Sequence, residues 1–145
     1  MIVLDTNVVS EMMKPERHPN VRAWMRAQAV HELATTTITL AEIGYGLARL
    51  PEGRRRFELE TNLQAFVVRG LGPRVFSFDR AAAQVYGEMI AARERTGRPF
   101  EGFDGLIAAI AKTRDAAIAT RNVADFANCG LLIVNPWNDP GSSSP

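Results

Sequence analysis

The chain has 145 residues, of which 46% are hydrophobic and 23% charged, with 17 Lys and Arg residues against 16 Asp and Glu residues. This length suits one domain, and the single cysteine, Cys129, excludes an internal disulfide and a CxxC metal cage. No apolar run approaches the ~18 residues of a membrane span, and residues 1–5 lack the basic start of a signal peptide. A net charge of +1 does not indicate nucleic-acid binding. The composition therefore predicts only a cytoplasmic, single-domain protein.

Short apolar runs predict the strands of a buried parallel sheet. Runs that are apolar on both faces are typical of strands covered by helices on both sides. We predict such strands at Ile2–Leu4, Leu33–Thr37, Val75–Phe78, Ala117–Thr120 and Leu131–Val134. Helical patterns separate these runs along the chain.

Apolar residues at helical spacing define the predicted helices. Three of these helices begin at residues that accept a hydrogen bond from the first helical turn, namely Asn20, Thr39 and Asp79. Two more cover Arg54–Val68 and Asp104–Lys112. The alternation of strands and helices predicts a mainly parallel sheet covered on both faces. We expect one domain over residues 1–139 and a disordered tail at 140–145, which is rich in serine, glycine and proline.

Acidic and amide side chains collect at one end of this predicted sheet. The set comprises Asp5 after the first strand, Asn122 and Asp125 after the fourth, and Glu42 and Asp104 in the first turns of two helices. In parallel sheets, ligands bind beyond the carboxyl ends of the strands. Clustered carboxylates repel one another unless a cation lies between them, and oxygen ligands favour Mg²⁺ or Mn²⁺. The sequence therefore predicts a divalent-metal site that suits phosphodiester hydrolysis.

Each acidic residue also has an ordinary structural interpretation. Asp5 could belong to a strand-to-helix turn, and Thr39-x-x-Glu42 matches a capping box. Asp104 could complement the dipole of its helix, and Asp125 could be a plain loop carboxylate. Because all of these positions converge on one end of the sheet, we favour a shared functional site.

Four segments resemble the motifs of PIN-domain ribonucleases. They are Met1–Asn7 (MIVLDTN), Thr39–Ile43 (TLAEI), Phe103–Ala109 (FDGLIAA) and Ala119–Phe126 (ATRNVADF). Their order and spacing resemble the VapC toxins of type II toxin–antitoxin modules over most of the chain. The closing segment Val134–Trp137 (VNPW) is similar to the branch that includes FitB-like proteins. The resemblance implies a three-layer α/β/α fold with a parallel sheet.

The resemblance also implies a role for each site residue. By position, Asp5 and Asp104 match the pair of acids that ligate Mg²⁺ or Mn²⁺ most directly. Glu42 matches another acid of the family, which ligates the ion directly or through water. Thr6 and Thr120 match small hydroxyl residues that line the pocket.

The fourth motif leaves one acidic position open. Some family members carry Asp where Asn122 stands, whereas others carry Asn there and a later Asp that matches Asp125. Asn122 is neutral, so the number of metal ions in the site, one or two, also stays open. We expect Asp125 to lean toward the pocket and act through water, with Asn122 hydrogen-bonded beside it.

In function, the resemblance implies a metal-dependent endoribonuclease that acts as a toxin and is neutralised by a cognate antitoxin. In the family, the antitoxin lays a segment over the acidic pocket, often with an Arg among the carboxylates. A bidentate guanidinium there replaces the missing cation charge. The family also implies a homodimer that assembles further with the antitoxin. Which RNA is cut does not follow from the sequence.

Two other functions were weighed against this one. A phosphatase of the haloacid dehalogenase type needs a second Asp two residues after the first, and this chain has Asn7 there. A catalytically idle PIN domain that binds RNA or protein would have no physical reason to keep mutually repelling acids at positions 5, 42 and 104. Trp24 and Trp137 are predicted to make packing or interface contacts rather than to stack on bases.

Overall fold

The centre of the molecule is a five-stranded sheet in which all neighbouring strands are parallel. The computed structural model describes residues 1–138, so the predicted domain end at 139 and the predicted tail at 140–145 lie outside the described residues. The strands are β1 (Ile2–Leu4), β2 (Leu33–Thr36), β3 (Val75–Phe76), β4 (Ala117–Ala119) and β5 (Ile133–Val134). All five predicted strands are present, and those after β1 are one or two residues shorter than predicted.

Helices cover both faces of this sheet. They are α1 (Thr6–Met13), α2 (Pro19–Ala27), α3 (Thr37–Ala48), α4 (Arg54–Ala65), α5 (Arg80–Arg95) and α6 (Asp104–Thr113). Helices α5 and α6 share one core with Val3 and Ile118, whereas α1, α3 and α4 share the other with Leu4 and Ala119. Successive side chains of a strand point to opposite faces, so strands β1 to β4 contribute to both cores. The expected three-layer α/β/α architecture is confirmed.

The start of α3 differs from the prediction. The helix begins at Thr37, and the Thr36 side chain caps it by accepting a hydrogen bond of 3.0 Å from the Thr39 backbone N–H. Thr39 is therefore the third residue of the helix, and Glu42 is the sixth. A capping box needs its acid at the third position, so the capping-box interpretation of Glu42 is wrong.

Two other helix starts carry information about the sequence. Helix α2 begins at Pro19, and His18 is its cap. Proline suits the first helical position because it has no backbone N–H that would need a hydrogen-bond partner. The predicted cap at Asn20 is wrong. The predicted cap at Asp79 is confirmed by a hydrogen bond of 2.9 Å from the Ala82 backbone N–H. Helix α1 was not predicted, because Asp5, Thr6 and Asn7 are residues typical of a turn after a strand.

The strand order β3-β2-β1-β4-β5 places a topological switch point between β1 and β4. On one side of it the chain proceeds through β2 and β3, and on the other through β4 and β5. Such a point opens a crevice beyond the carboxyl ends of the two strands. Asp5 follows β1 and Thr120 follows β4, so both lie at this crevice. Separately, no helix among residues 1–138 is long and apolar enough to cross a membrane.

Candidate active site

Asp5 lies at the centre of the crevice and is 4% exposed. Its Oδ2 accepts hydrogen bonds from Thr120 Oγ1 at 2.8 Å and from Asn7 Nδ2 at 3.2 Å. It occupies the position before α1, but its side chain does not cap that helix. Burial raises the pKa of Asp5, and its hydrogen bonds only partly offset this effect. The carboxylate is thus held by one side chain from the start of α1 and one from the residue that follows β4.

Asn7 links Asp5 to the end of β4. Its Nδ2 donates to Asp5 Oδ2 and, at 3.3 Å, to Thr120 Oγ1, and its Oδ1 accepts from the Arg121 backbone N–H at 3.1 Å. Thr120 Oγ1 also accepts from the Asn122 backbone N–H at 3.0 Å. Asn7 was not among the predicted site residues. The available signal was its spacing, two residues after an acid in the turn that leaves β1.

Glu42 reaches the site from the second turn of α3. Its Oε1 accepts a hydrogen bond of 2.9 Å from Thr6 Oγ1, the first residue of α1. The two residues are 36 positions apart in sequence, so the contact joins two helices that pack on the same sheet face. Thr6 thereby fixes the direction of the Glu42 carboxylate.

Asp104 is the first residue of α6 and is half-buried. Burial, followed by the charges of Asp5, Asp125, Glu42 and Glu101, raises its pKa to about 7. These influences show that the predicted acids converge on one region, to which Glu101 is an unpredicted addition.

Gly105 explains how the start of α6 reaches this position. A Cβ at Gly105 would lie 2.6 Å from Ile90 Cδ1, so a larger residue there would require the end of the Ile90 side chain to move away from α6. The glycine that follows the acid in the third motif therefore has a packing function, and it helps to place Asp104.

Asp125 and Asn122 occupy the edge of the site. Asp125 Oδ1 accepts a hydrogen bond of 3.1 Å from Arg98 Nη2, which forms an ion pair. Arg98 was not predicted. Asn122 is exposed; its backbone N–H donates to Thr120 Oγ1, and its carbonyl accepts a hydrogen bond of 3.0 Å from the Asp125 backbone N–H. The expectation that Asp125 acts through water stays a prediction, since its described partner is a cation.

A buried arginine holds this edge in place. Arg93 of α5 is 2% exposed, and its guanidinium donates to the backbone carbonyls of Arg98, Ala124 and Ala127. It also lies over the Phe100 ring, 4.5 Å from the centroid. The Arg93 side chain thus joins the loop before α6 to the turn that carries Asp125. The available sequence signal was its place on the apolar face of α5, four residues after Met89.

Replacing Arg93 with Met is expected to lower the free energy of unfolding by about 2–4 kcal/mol, because three carbonyl oxygens lose a charged donor. Urea unfolding of the two proteins measures the difference. Arg95→Met is the matched control, since Arg95 is exposed on the same helix, and it should change stability by no more than about 0.5 kcal/mol. Equal effects of the two substitutions would contradict a clamping role for Arg93.

The chemistry of the donor set fits a hard divalent cation. Carboxylate oxygens are the ligands that Mg²⁺ and Mn²⁺ prefer, and the pKa of Asp104 is raised by burial and by the negative charges of its neighbours. Across residues 1–138, no three His, Cys, Asp or Glu side chains form a ready-made metal cage.

The fold and the site together define a class of protein. The PIN domain model matches residues 2–129, and the chain belongs to the PIN-domain family. Proteins of this family that cleave RNA generally need a divalent metal.

Individual relatives place the chain more closely. It is 41% identical over 137 residues to VapC ribonuclease Y4jK of Sinorhizobium fredii, covering 94% of this chain and 98% of the relative. It is 32% identical over 139 residues to toxin FitB of Neisseria gonorrhoeae, covering 96% and 100%. The structure of FitAB bound to the IR36 DNA fragment superimposes with a TM-score of 0.87 at 30% identity, covering 95% and 96%. The resemblance to VapC-type, FitB-like proteins is thus confirmed.

Proposed function

We propose that this protein is a Mg²⁺- or Mn²⁺-dependent endoribonuclease that acts as the toxin of a toxin–antitoxin pair. The observation that carries the proposal is the group of acids at the β1–β4 switch point, where burial and the neighbouring negative charges together raise the pKa of Asp104 to about 7. A bound divalent cation would offset the repulsion between these carboxylates. The names of two relatives, VapC ribonuclease Y4jK and toxin FitB, support the same activity.

In this proposal Asp5 and Asp104 are the principal metal ligands, and Glu42 ligates directly or through water. When bound, the ion supplies positive charge for the phosphate and an activated water for the attack. Thr120 and Thr6 hold the carboxylates of Asp5 and Glu42 in fixed directions through bonds of 2.8 and 2.9 Å. Fixed ligands need no reorganisation during the reaction, and such preorganisation is a main source of catalysis.

Asn122 and Asp125 are proposed to complete the site at its edge. The Asn122 backbone N–H stabilises Thr120, which in turn donates to Asp5. Asp125 adds negative charge close enough to influence Asp104 while it is paired with Arg98. Release of this ion pair would free the Asp125 carboxylate to orient the attacking water.

Neither alternative function gains support from a specific contact. The phosphatase alternative needs an Asp at position 7. This chain has Asn7 there, and its amide donates hydrogen bonds to Asp5 and Thr120. An idle binding module would not require a buried acid beside several others, because the repulsion between them costs stability. Hydrolysis assisted by a metal remains the function that the arrangement of charges supports.

An antitoxin is the proposed protein partner. The similarity to FitB, and to a FitAB complex solved on DNA, supports a second protein that covers this chain. A homodimer is the assembly that the family resemblance implies, and light scattering of the purified protein would measure it. Coexpression with the protein encoded by the neighbouring gene would test the pair, since a cognate antitoxin should copurify and suppress cleavage.

The experiment that tests the activity uses a mixed pool of RNA. The purified protein should cleave this pool in Mg²⁺ or Mn²⁺, lose the activity in EDTA and regain it when the metal is restored. The Asp104→Asn variant, purified in the same way, separates this activity from contaminating ribonucleases. Cleavage that persists in EDTA, or that is equal in the variant, would overturn the proposal.

The acid cluster also predicts a pH dependence of stability. Without divalent metal, Asp104 has a pKa of about 7 in the folded protein, against an ordinary value of 3.8. The folded state therefore binds this proton more tightly than the unfolded state does. The resulting stability is fully present below about pH 3.8 and is lost as the pH rises through about 7. Asp5, whose pKa is also raised, contributes with the same sign.

Thermal unfolding in EDTA across this pH range measures the effect. The wild-type midpoint should fall as the pH rises toward 7, and the Asp104→Asn variant should show a shallower decline and a higher midpoint at neutral pH, because it carries no charge to repel its neighbours. A wild-type profile with the same slope as that of the variant would contradict the raised pKa.

A further inference from the structure

An arginine stacked on a tryptophan lies next to the acidic crevice. Arg121 directly follows Thr120, and its backbone N–H donates to Asn7 Oδ1 at 3.1 Å. Its guanidinium carbon lies 4.7 Å from the centroid of the Trp137 ring. Asn7 also donates to Asp5, so a single side chain connects the backbone of Arg121 to the central acid. The backbone of Arg121 is therefore held at the crevice by Asn7, while its guanidinium is held on the Trp137 ring.

The tryptophan is a fixed platform rather than a mobile surface ring. Trp137 packs against the core formed by α1, α3 and α4. Its backbone N–H donates to Asn135 Oδ1 at 2.9 Å, and its carbonyl accepts from Asn20 Nδ2 of α2 at 2.8 Å. The predicted packing role of Trp137 is thus one of its functions. The ring face that it presents to Arg121 is a second.

The charge of Arg121 is not paired with a carboxylate within residues 1–138. Among residues 1–138, Arg98 is paired with Asp125, whereas Arg121 forms no ion pair. Burial and four negative charges raise the pKa of Asp104, so the crevice is acidic. A polyanion that approaches such a crevice is repelled, so its binding requires cations at the rim that the acids do not neutralise. Stacking on an aromatic ring supports a guanidinium while leaving its N–H groups free to bind phosphate.

We infer that Arg121, held on Trp137, binds a backbone phosphate of single-stranded RNA next to the phosphodiester that is cut. This inference rests on the proposed ribonuclease function and adds a substrate-binding residue to it. The contact is to phosphate, so it favours no base. It draws the strand across the β1–β4 crevice despite the repulsion by the acids.

The test measures RNA binding without cleavage, in the Asp104→Asn background with Mg²⁺ present. The probe is a fluorescent single-stranded RNA of mixed sequence, and its dissociation constant is measured over a series of salt concentrations. Arg121→Gln is expected to weaken binding by about tenfold at low salt. It is also expected to reduce the slope of log affinity against log salt by about 0.7, the value for one lost phosphate contact on a single strand.

Arg114→Gln is the matched control. Arg114 is also exposed and stacked, 3.9 Å from the centroid of the Phe76 ring, but it follows the last residue of α6, at the far end from Asp104. Its replacement removes one stacked cation and should leave affinity and salt slope unchanged. Arg121→Lys, which keeps the charge but not the planar fork, should recover part of the affinity. Both Gln variants should unfold at the wild-type temperature, which excludes a general loss of structure.

The outcomes separate this inference from the proposed function. If Arg121→Gln weakens binding no more than Arg114→Gln does, the inference is wrong, and the stacked guanidinium has a structural or protein-binding role. If the protein with Asp104 intact cleaves no RNA, the proposed function fails, whatever the binding results are. If cleavage occurs and only the Arg121 variant loses affinity and salt slope, both are supported.

Discussion

Replacing Asp104 with Asn is expected to reduce RNA cleavage by on the order of 10³-fold while the protein remains folded. Asn is nearly the same size and removes only the negative charge, so the start of α6 and the packing at Gly105 are retained. The loss is expected because Asp104 is a proposed principal ligand, so the substitution removes a charged carboxylate from the metal centre. Initial rates of cleavage at saturating Mg²⁺ give the measurement.

The Asp115→Asn variant is a suitable control for the same substitution. Asp115 is an exposed acid just beyond α6, at the end opposite Asp104. It should retain wild-type activity. An Asp104→Asn protein that keeps wild-type activity at every Mg²⁺ concentration would show that Asp104 is not a principal ligand.

Replacing Glu42 with Gln is the second substitution with a large expected effect. The amide oxygen of Gln still accepts the hydrogen bond that Thr6 donates to Glu42, so stability should change little. Cleavage should fall by on the order of 10²-fold, because the charge of a metal ligand is lost. Parallel measurements of the thermal midpoint and the initial rate separate the two effects.

A structural role would give the opposite pattern for Glu42. Full activity in Glu42→Gln would mean that the residue only joins α1 to α3 through Thr6. Glu88→Gln is the control, since Glu88 is an exposed carboxylate on α5. It should change neither the rate nor the midpoint.

The sheet and its central acid followed from local features of the sequence. Apolar runs marked every strand, and Asp5 could be placed at the crevice because it directly follows the first of them. The precise ends were less accessible. Thr36, Thr37 and Thr39 are all able to cap a helix, and only the backbone conformation shows that Thr36 does so. The capping-box interpretation of Glu42 failed for this reason.

The edge of the site could not be derived from local patterns. The Arg98–Asp125 ion pair joins residues 27 positions apart. Arg93 binds carbonyl oxygens from two separate segments, and backbone acceptors leave no signature in the side-chain sequence. The only sequence indication of this role was an arginine on the apolar face of a helix. Its partners depend on how the two loops fold around it.

The most direct test of the account is the position of Mn²⁺ in crystals of the protein, measured by anomalous scattering. Mn²⁺ also stands in for Mg²⁺, whose oxygen ligands lie at about 2.1 Å. The account predicts an ion at the β1–β4 switch point that is coordinated by carboxylate oxygens of both Asp5 and Asp104, and that is absent from Asp104→Asn crystals. Mn²⁺ that is bound only elsewhere, with the Asp5 carboxylate contacting nothing but Thr120 and Asn7, would contradict the proposed metal centre.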